Sequence, residues 1–316
     1  MIILSGIFLL ALMGGAGPRH SGLAEGVLTA SSPGQSQSEQ DQSTRTSSEK
    51  SAKSRDKPPT GTSEKHIELA RKLASEGDLE GAIAEYRTAL QIDPQDSTAY
   101  TELGGALDEL GERPAALVAY REVVRLNPES AEAHYNLGIA LERDSADLDG
   151  GMAEYRKAIA LDPEFSDAHY NLGLVLEKRT RYDDALTEFR TLLKLEPEMA
   201  EAHYCLGNVW MAKHDLTDAI AEFHKSLALS PESPAAHNSL AKALLMQQDV
   251  DGAIGEFRAS LRYDPRNAST HFNLAEALFK KGTMKDALEE YREAADLDKR
   301  NPVYRAAYTK LAAQKK

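Results

Sequence analysis

A single cysteine and a single tryptophan stand in 316 residues, and little of the usual reactive furniture surrounds them. Cys205 has no second thiol to pair with, so no internal disulfide can form and the redox compartment stays open. No HExxH or CxxC spacing occurs, which removes the recurring zinc arrangements. There is no GxSxG, no GxxxxGK[ST], and no GxGxxG after a strand, because no stretch alternates as a strand would. Positive charge is also scarce. The net charge is −13, residues 64–316 hold about −14 of it, and no basic stripe is interleaved with aromatics. A nucleic-acid backbone would be repelled by that surface. These absences point to a chain without catalysis, cofactor, metal or nucleic-acid partner.

What the chain has is repetition. Pro94, Pro128, Pro163, Pro197, Pro231 and Pro265 lie 34, 35, 34, 34 and 34 residues apart, and they take six of the 13 prolines. Proline cannot continue a helix interior, so it fixes the phase. Twelve residues before each stands Ala82, Ala116, Gly151, Ala185, Ala219 or Ala253, and eight before stands Tyr86, Tyr120, Tyr155, Phe189, Phe223 or Phe257. Earlier in each period comes a pair: Leu103-Gly104, Leu137-Gly138, Leu172-Gly173 and Leu206-Gly207, with Leu69-Ala70, Leu240-Ala241 and Leu274-Ala275 as alanine versions. Large apolar residues recur at helical spacing in two runs per period, so each unit is predicted to be two antiparallel amphipathic helices. Small residues facing each other let the two axes approach.

Period, proline, Leu-Gly pair, alanine and aromatic together resemble the tetratricopeptide repeat. The resemblance covers residues 63–301, as seven units: 63–96, 97–130, 131–165, 166–199, 200–233, 234–267 and 268–301. It implies an all-α fold, a right-handed superhelical solenoid of helix-turn-helix repeats, whose concave groove receives an extended peptide or a helix. Three departures are local. The third unit is one residue longer within Asp144 to Gly151, the first carries His66 and Ile67 in place of a motif aromatic, and the seventh ends in Lys299 where proline is expected.

The chain outside the units is read differently. Residues 1–24 contain an apolar run from Ile2 to Met13, shorter than the about 20 residues a spanning helix needs, followed by small residues. This is expected to be an export signal cut after Ala16 or Ala24, although the usual positive start is missing; an uncleaved anchor and a misassigned start are the alternatives. The protein is therefore expected to be exported, periplasmic or secreted, or else membrane-tethered. Residues 25–62, rich in Ser, Gln and Thr, are expected to be a disordered linker, since they hold too little apolar surface to offset ordering. Residues 302–316, with Val303, Tyr304, Ala307, Tyr308 and Leu311 on one face, are expected to be a capping helix.

Six of the nine histidines, His66, His134, His169, His203, His237 and His271, hold the same place in their units. Successive first helices lie about 10 Å apart, so these rings form a ladder, not a cluster around one ion. They are read as packing residues, and so is Cys205.

The candidate site is a face of the first helices. Counting places from the start of each unit, places four, seven, eight and 11 should meet partner helices, while two, five, six, nine and 12 fall elsewhere. In the family resembled, that second face lines the groove. Here it holds Tyr135, Tyr170, Tyr204 and Phe272 at place five, Asn136, Asn171 and Asn273 at place six, and Ile139, Leu174, Asn208 and Lys242 at place nine. The asparagines resemble the peptide-gripping ladder of O-linked N-acetylglucosamine transferase repeats, interrupted by Glu102, Cys205 and Ser239 and without a transferase domain. The carboxylate clamp of chaperone-binding repeats is missing: places five and nine of the first three units read Ile67 and Arg71, Thr101 and Gly105, Tyr135 and Ile139. Acidic Glu132, Asp167, Glu201, Glu142 and Glu177 favour a protein or peptide partner with apolar and basic residues. A non-catalytic adaptor is the reading this supports; a self-associating scaffold and a substrate-docking subunit of a separate enzyme are the alternatives.

Overall fold

A computed structural model describes residues 62–143 and 147–313, of which 82% are helical. The expected signal and most of the linker, residues 1–61, lie outside the described residues, as do residues 144–146, part of the stretch from Asp144 to Gly151 that holds the third unit's extra residue, and residues 314–316 of the expected capping helix. Fifteen helices occur among the described residues. The first helices of the units run Ser63–Ser75, Ser97–Leu110, Ala131–Arg143, Ser166–Lys178, Ala200–Ala212, Pro234–Met246 and Ala268–Lys281. The second helices run Leu79–Ile92, Arg113–Leu126, Leu148–Leu161, Tyr182–Leu195, Leu216–Leu229, Val250–Tyr263 and Met284–Leu297, and Pro302–Ala313 closes the array. Each helix packs on the next along the chain, so the fold is a solenoid of stacked hairpins. Among the described residues no helix is long and apolar enough to cross a membrane.

Local chemistry explains the boundaries. Asp78, Asp147, Asp215 and Asp249 cap second helices by accepting from the backbone N–H groups of Gly81, Gly150, Asp218 and Gly252. In the six units where it is described, the turn inside the hairpin passes through the left-handed region at place 15. Gly77, Gly111 and Gly282 take it with φ of 85°, 89° and 90°, but Thr180, His214 and Gln248 take it with φ of 57°, 64° and 74°. For a β-branched residue that conformation is strained by about 1–2 kcal/mol. Thr180 is exposed, so Thr180→Gly should raise stability by about 1 kcal/mol, read as a higher urea midpoint at unchanged slope.

The core follows two rules. Within a hairpin, Phe189, Phe223 and Phe257 are fully buried against the first helix of their own unit. Between hairpins, places three and ten of the first helices from the second unit onward are buried, as at Ala168, Val175, Ala202, Val209, Ala236 and Ala243. A single-unit helical wheel assigns the contact face to places four, seven, eight and 11, and so omits these two. They face the preceding unit, which a lone unit does not reveal. The first unit, with nothing before it, carries exposed Lys65 and Lys72 at those places, and Leu69 at place seven is 43% exposed.

Candidate interaction groove

First helices of neighbouring units touch from the fourth through the seventh, so they form one continuous wall. An open depression of about 680 Å³ lies on that wall. It is lined by Glu177, Asn208, Met211, Lys242, Met246 and Asn273 among others. Three of the residues selected from sequence, Asn208, Lys242 and Asn273, thus share one site.

Its electrostatics are mixed. Burial holds the Glu177 carboxyl above its ordinary range, against the pull of Lys178. Burial also lowers the Lys242 ammonium, with no charged neighbour contributing. The amide nitrogen of Asn273 is buried and meets no hydrogen-bond acceptor among the described residues. A groove with an under-solvated acid, an under-solvated base and an unused amide donor can gain by contact with charged side chains and peptide carbonyls.

The other selected residues are placed differently. Tyr135, Tyr170, Tyr204 and Phe272 are half-buried, not free-standing. Each packs on the ring of its own second helix, with centroids 5.9 Å from Tyr155, 6.4 Å from Phe189, 6.0 Å from Phe223 and 5.6 Å from Tyr291. Tyr135 also meets Phe165 at 4.8 Å and accepts a hydrogen bond from Asn171 at 3.1 Å. Burial and then Asp167 push its hydroxyl up to about 12. Ile139 and Leu174 pack against the central core. Asn136 lies instead in a smaller polar cleft with Thr101, Glu102 and Ser130. Phe272 lines a pocket at the C-terminal end, 4.9 Å from Tyr304 of the closing helix.

Met211, Leu245, Met246 and Glu276 line the depression without having been selected. Met211 stands at place 12, on the groove-lining face, and Met246 at place 13, just outside it; their pairing in adjacent units is the signal that could have found them. Cys205 is buried, and its thiol is pushed up to about 12 by burial and by Glu177, against the Tyr170 hydroxyl. Such a thiol is a poor nucleophile.

A tetratricopeptide repeat model matches residues 170–234, 211–262 and 238–302, and a TPR repeat model matches 70–111, 106–145 and 147–179. The chain belongs to the tetratricopeptide repeat family. Among solved structures, this TPR protein is similar to MamA protein at 26% identity and TM-score 0.50, over 54% of this chain and 92% of that one. It is similar to pilF of Pseudomonas aeruginosa at 22% identity and TM-score 0.58, over 70% and 100% respectively. It is also similar to YrrB, described as a TPR protein with an unusual peptide-binding site, at 24% identity and TM-score 0.50, over 60% and 98%. The last two likenesses concern the fold alone. No curated protein matches the sequence. TPR arrays are protein-interaction scaffolds, typically non-catalytic, and this chain is one by fold.

Proposed function

We propose that this protein is a non-catalytic adaptor, exported or tethered by its N-terminal segment, whose first-helix wall holds an extended peptide or a helix of a partner protein. The observation that carries the reading is the depression shared by the fourth to seventh units. Met211 and Met246 give it an adaptable apolar floor, and Asn208, Lys242 and Asn273 offer donors to peptide carbonyls. Glu177 and Glu276 on its walls suit a lysine or arginine of the partner. The ligand is therefore a segment combining apolar and basic residues.

The test compares wild type with Met211→Asp/Met246→Asp, after circular dichroism shows equal helicity. Met246 is 46% exposed, whereas Met211 is half-buried at the edge of a core cluster, so equal helicity is the condition for reading the double variant. A control, Val118→Asp, alters a second-helix position that is 60% exposed. A partner captured by wild type and by the control should bind the double variant at least about tenfold more weakly, a loss typical of central interface residues. Equal capture by all three would remove the site from this wall. A second reading, self-association through the C-terminal end, draws on the pocket of about 470 Å³ beside Val303 and Phe279 there; sedimentation across a dilution series separates the two.

A further inference from the structure

The histidine ladder is more than packing. In all six units that carry it, Nδ1 meets a glutamate of the same unit's second helix: His66 with Glu85, His134 with Glu154, His169 with Glu188, His203 with Glu222, His237 with Glu256 and His271 with Glu290, at 2.5–2.6 Å. In four of them the other nitrogen, Nε2, faces the carbonyl of the proline that ends the preceding unit. These contacts are His134 to Pro128 at 3.0 Å, His169 to Pro163 at 3.1 Å, His237 to Pro231 at 3.0 Å and His271 to Pro265 at 3.2 Å.

Carboxylate and carbonyl oxygens only accept. A neutral imidazole donates from one nitrogen and presents a lone pair at the other, so it can satisfy one of the two contacts and opposes the second. Only the imidazolium, with a proton on each nitrogen, makes both bonds. That geometry points to a device: we propose that protonated His134, His169, His237 and His271 act as clips joining each unit to the turn of the unit before it, and that losing the proton loosens those joints.

The groups around the rings agree. His271 faces Glu290 and Glu293 on the second helix and the Pro265 carbonyl; burial works against its charge, but these contacts outweigh it and raise the ring above the ordinary histidine value. Glu154 is shared by His134 and Lys157; burial would raise its carboxyl, yet the two donors hold it below the ordinary range. Glu222 is likewise shared by His203 and Lys225. His237 carries a further neighbour, the stacked ring of Tyr263 at 6.0 Å. For a ring favoured as the cation in the folded state, the contribution is complete below the unfolded value of about 6.5 and disappears as pH rises through the folded value. The array should therefore stiffen on mild acidification and relax toward alkaline pH, the reverse of a histidine buried neutral.

The fourth-to-fifth joint is an internal control, because His203 makes only its carboxylate contact among the described residues. The experiment follows the full chain from pH 6 to pH 8.5 by nitrogen NMR of the histidine rings and by amide hydrogen exchange corrected for its intrinsic pH dependence. The four rings should carry protons on both nitrogens at pH 7. Protection of amides flanking the Pro128, Pro163, Pro231 and Pro265 turns should fall by at least about tenfold between pH 6 and pH 8.5, while the Pro197 turn changes little. His169→Gln, which keeps one donor and cannot titrate, should flatten the response at Pro163 alone. Glu188→Gln, which is nearly isosteric and removes the charge facing His169, should shift that response to lower pH. Singly protonated rings at pH 7, or a Pro163 response unchanged in His169→Gln, would overturn the proposal.

Discussion

Replacing Phe189 by Ala is expected to cost about 3–5 kcal/mol, and Gly173→Ala is expected to change sign in that background. The ring of Phe189 is fully buried, and it lies over Gly173 so closely that an added Cβ would stand 2.6 Å from Cε1 and 2.8 Å from Cζ. Alone, Gly173→Ala gains about 1 kcal/mol of helix propensity but incurs about 1–3 kcal/mol of overlap, so it should destabilise. With the ring removed, the overlap vanishes and the propensity gain remains. The same substitution should then stabilise by about 1 kcal/mol. The first, sixth and seventh units already carry Ala70, Ala241 and Ala275 opposite Tyr86, Phe257 and Tyr291, so alanine is compatible with the topology and the cost lies in displaced packing. A larger residue at Gly173 has no such precedent and should part the hairpin. Because repeat arrays unfold in pieces, the cycle is best read from hydrogen exchange within residues 166–199, alongside the urea midpoint. Additive single and double effects would mean that the ring and the glycine do not share space as the structure shows.

The period and the hairpin were legible because each rests on residues whose backbone or packing demands leave few alternatives: the prolines, the Leu-Gly pairs and the rings opposite them. Contacts between units were harder to read. Ala168 and Val175 look interchangeable with any helix-favouring residue until a preceding hairpin is placed against them, and only Lys65 and Lys72 in the first unit betray the rule. The groove was half legible for a related reason. A helical wheel sorts directions, not depth, so it marks Tyr135 and Tyr170 without revealing that their rings lean on Tyr155 and Phe189. A variant removing those tyrosines would confuse lost binding with lost packing, whereas Met246, which is 46% exposed, separates the two. The histidine partners, by contrast, were present in the sequence. Glutamate follows histidine by 19 residues in five units and by 20 in the third, where the insertion lies.

Deleting residues 302–316 should unfold the seventh unit ahead of the rest of the array. Counted as the start of an eighth unit, the closing helix puts Tyr304 and Leu311 at places three and ten, the places that face a preceding hairpin, and Tyr308 at place seven, packed against the same cluster. Leu311 is buried beside Tyr291 and Leu278, and Tyr304 lies 4.9 Å from Phe272. At places four and eight, which in the other units face the second helix, it has exposed Arg305 and Thr309. It matches the first half of a repeat, apolar toward the seventh unit and polar on its other face. Leu311→Ala should cost about 2–5 kcal/mol, and the deletion more, since both tyrosines leave as well. In an array held by nearest-neighbour interfaces that loss is local. Amides of residues 268–297 should exchange freely while those of residues 166–199 keep their protection, and the urea slope should fall by about one repeat's share of the surface. Uniform loss of protection along the whole chain would mean that the hairpins fold as one cooperative block. A second result comes from the same sample: the bared face of the last hairpin is the face every other unit presents to its successor. If end-to-end association is how the array assembles, the deletion should strengthen it, and sedimentation of wild type beside the deletion reads that directly.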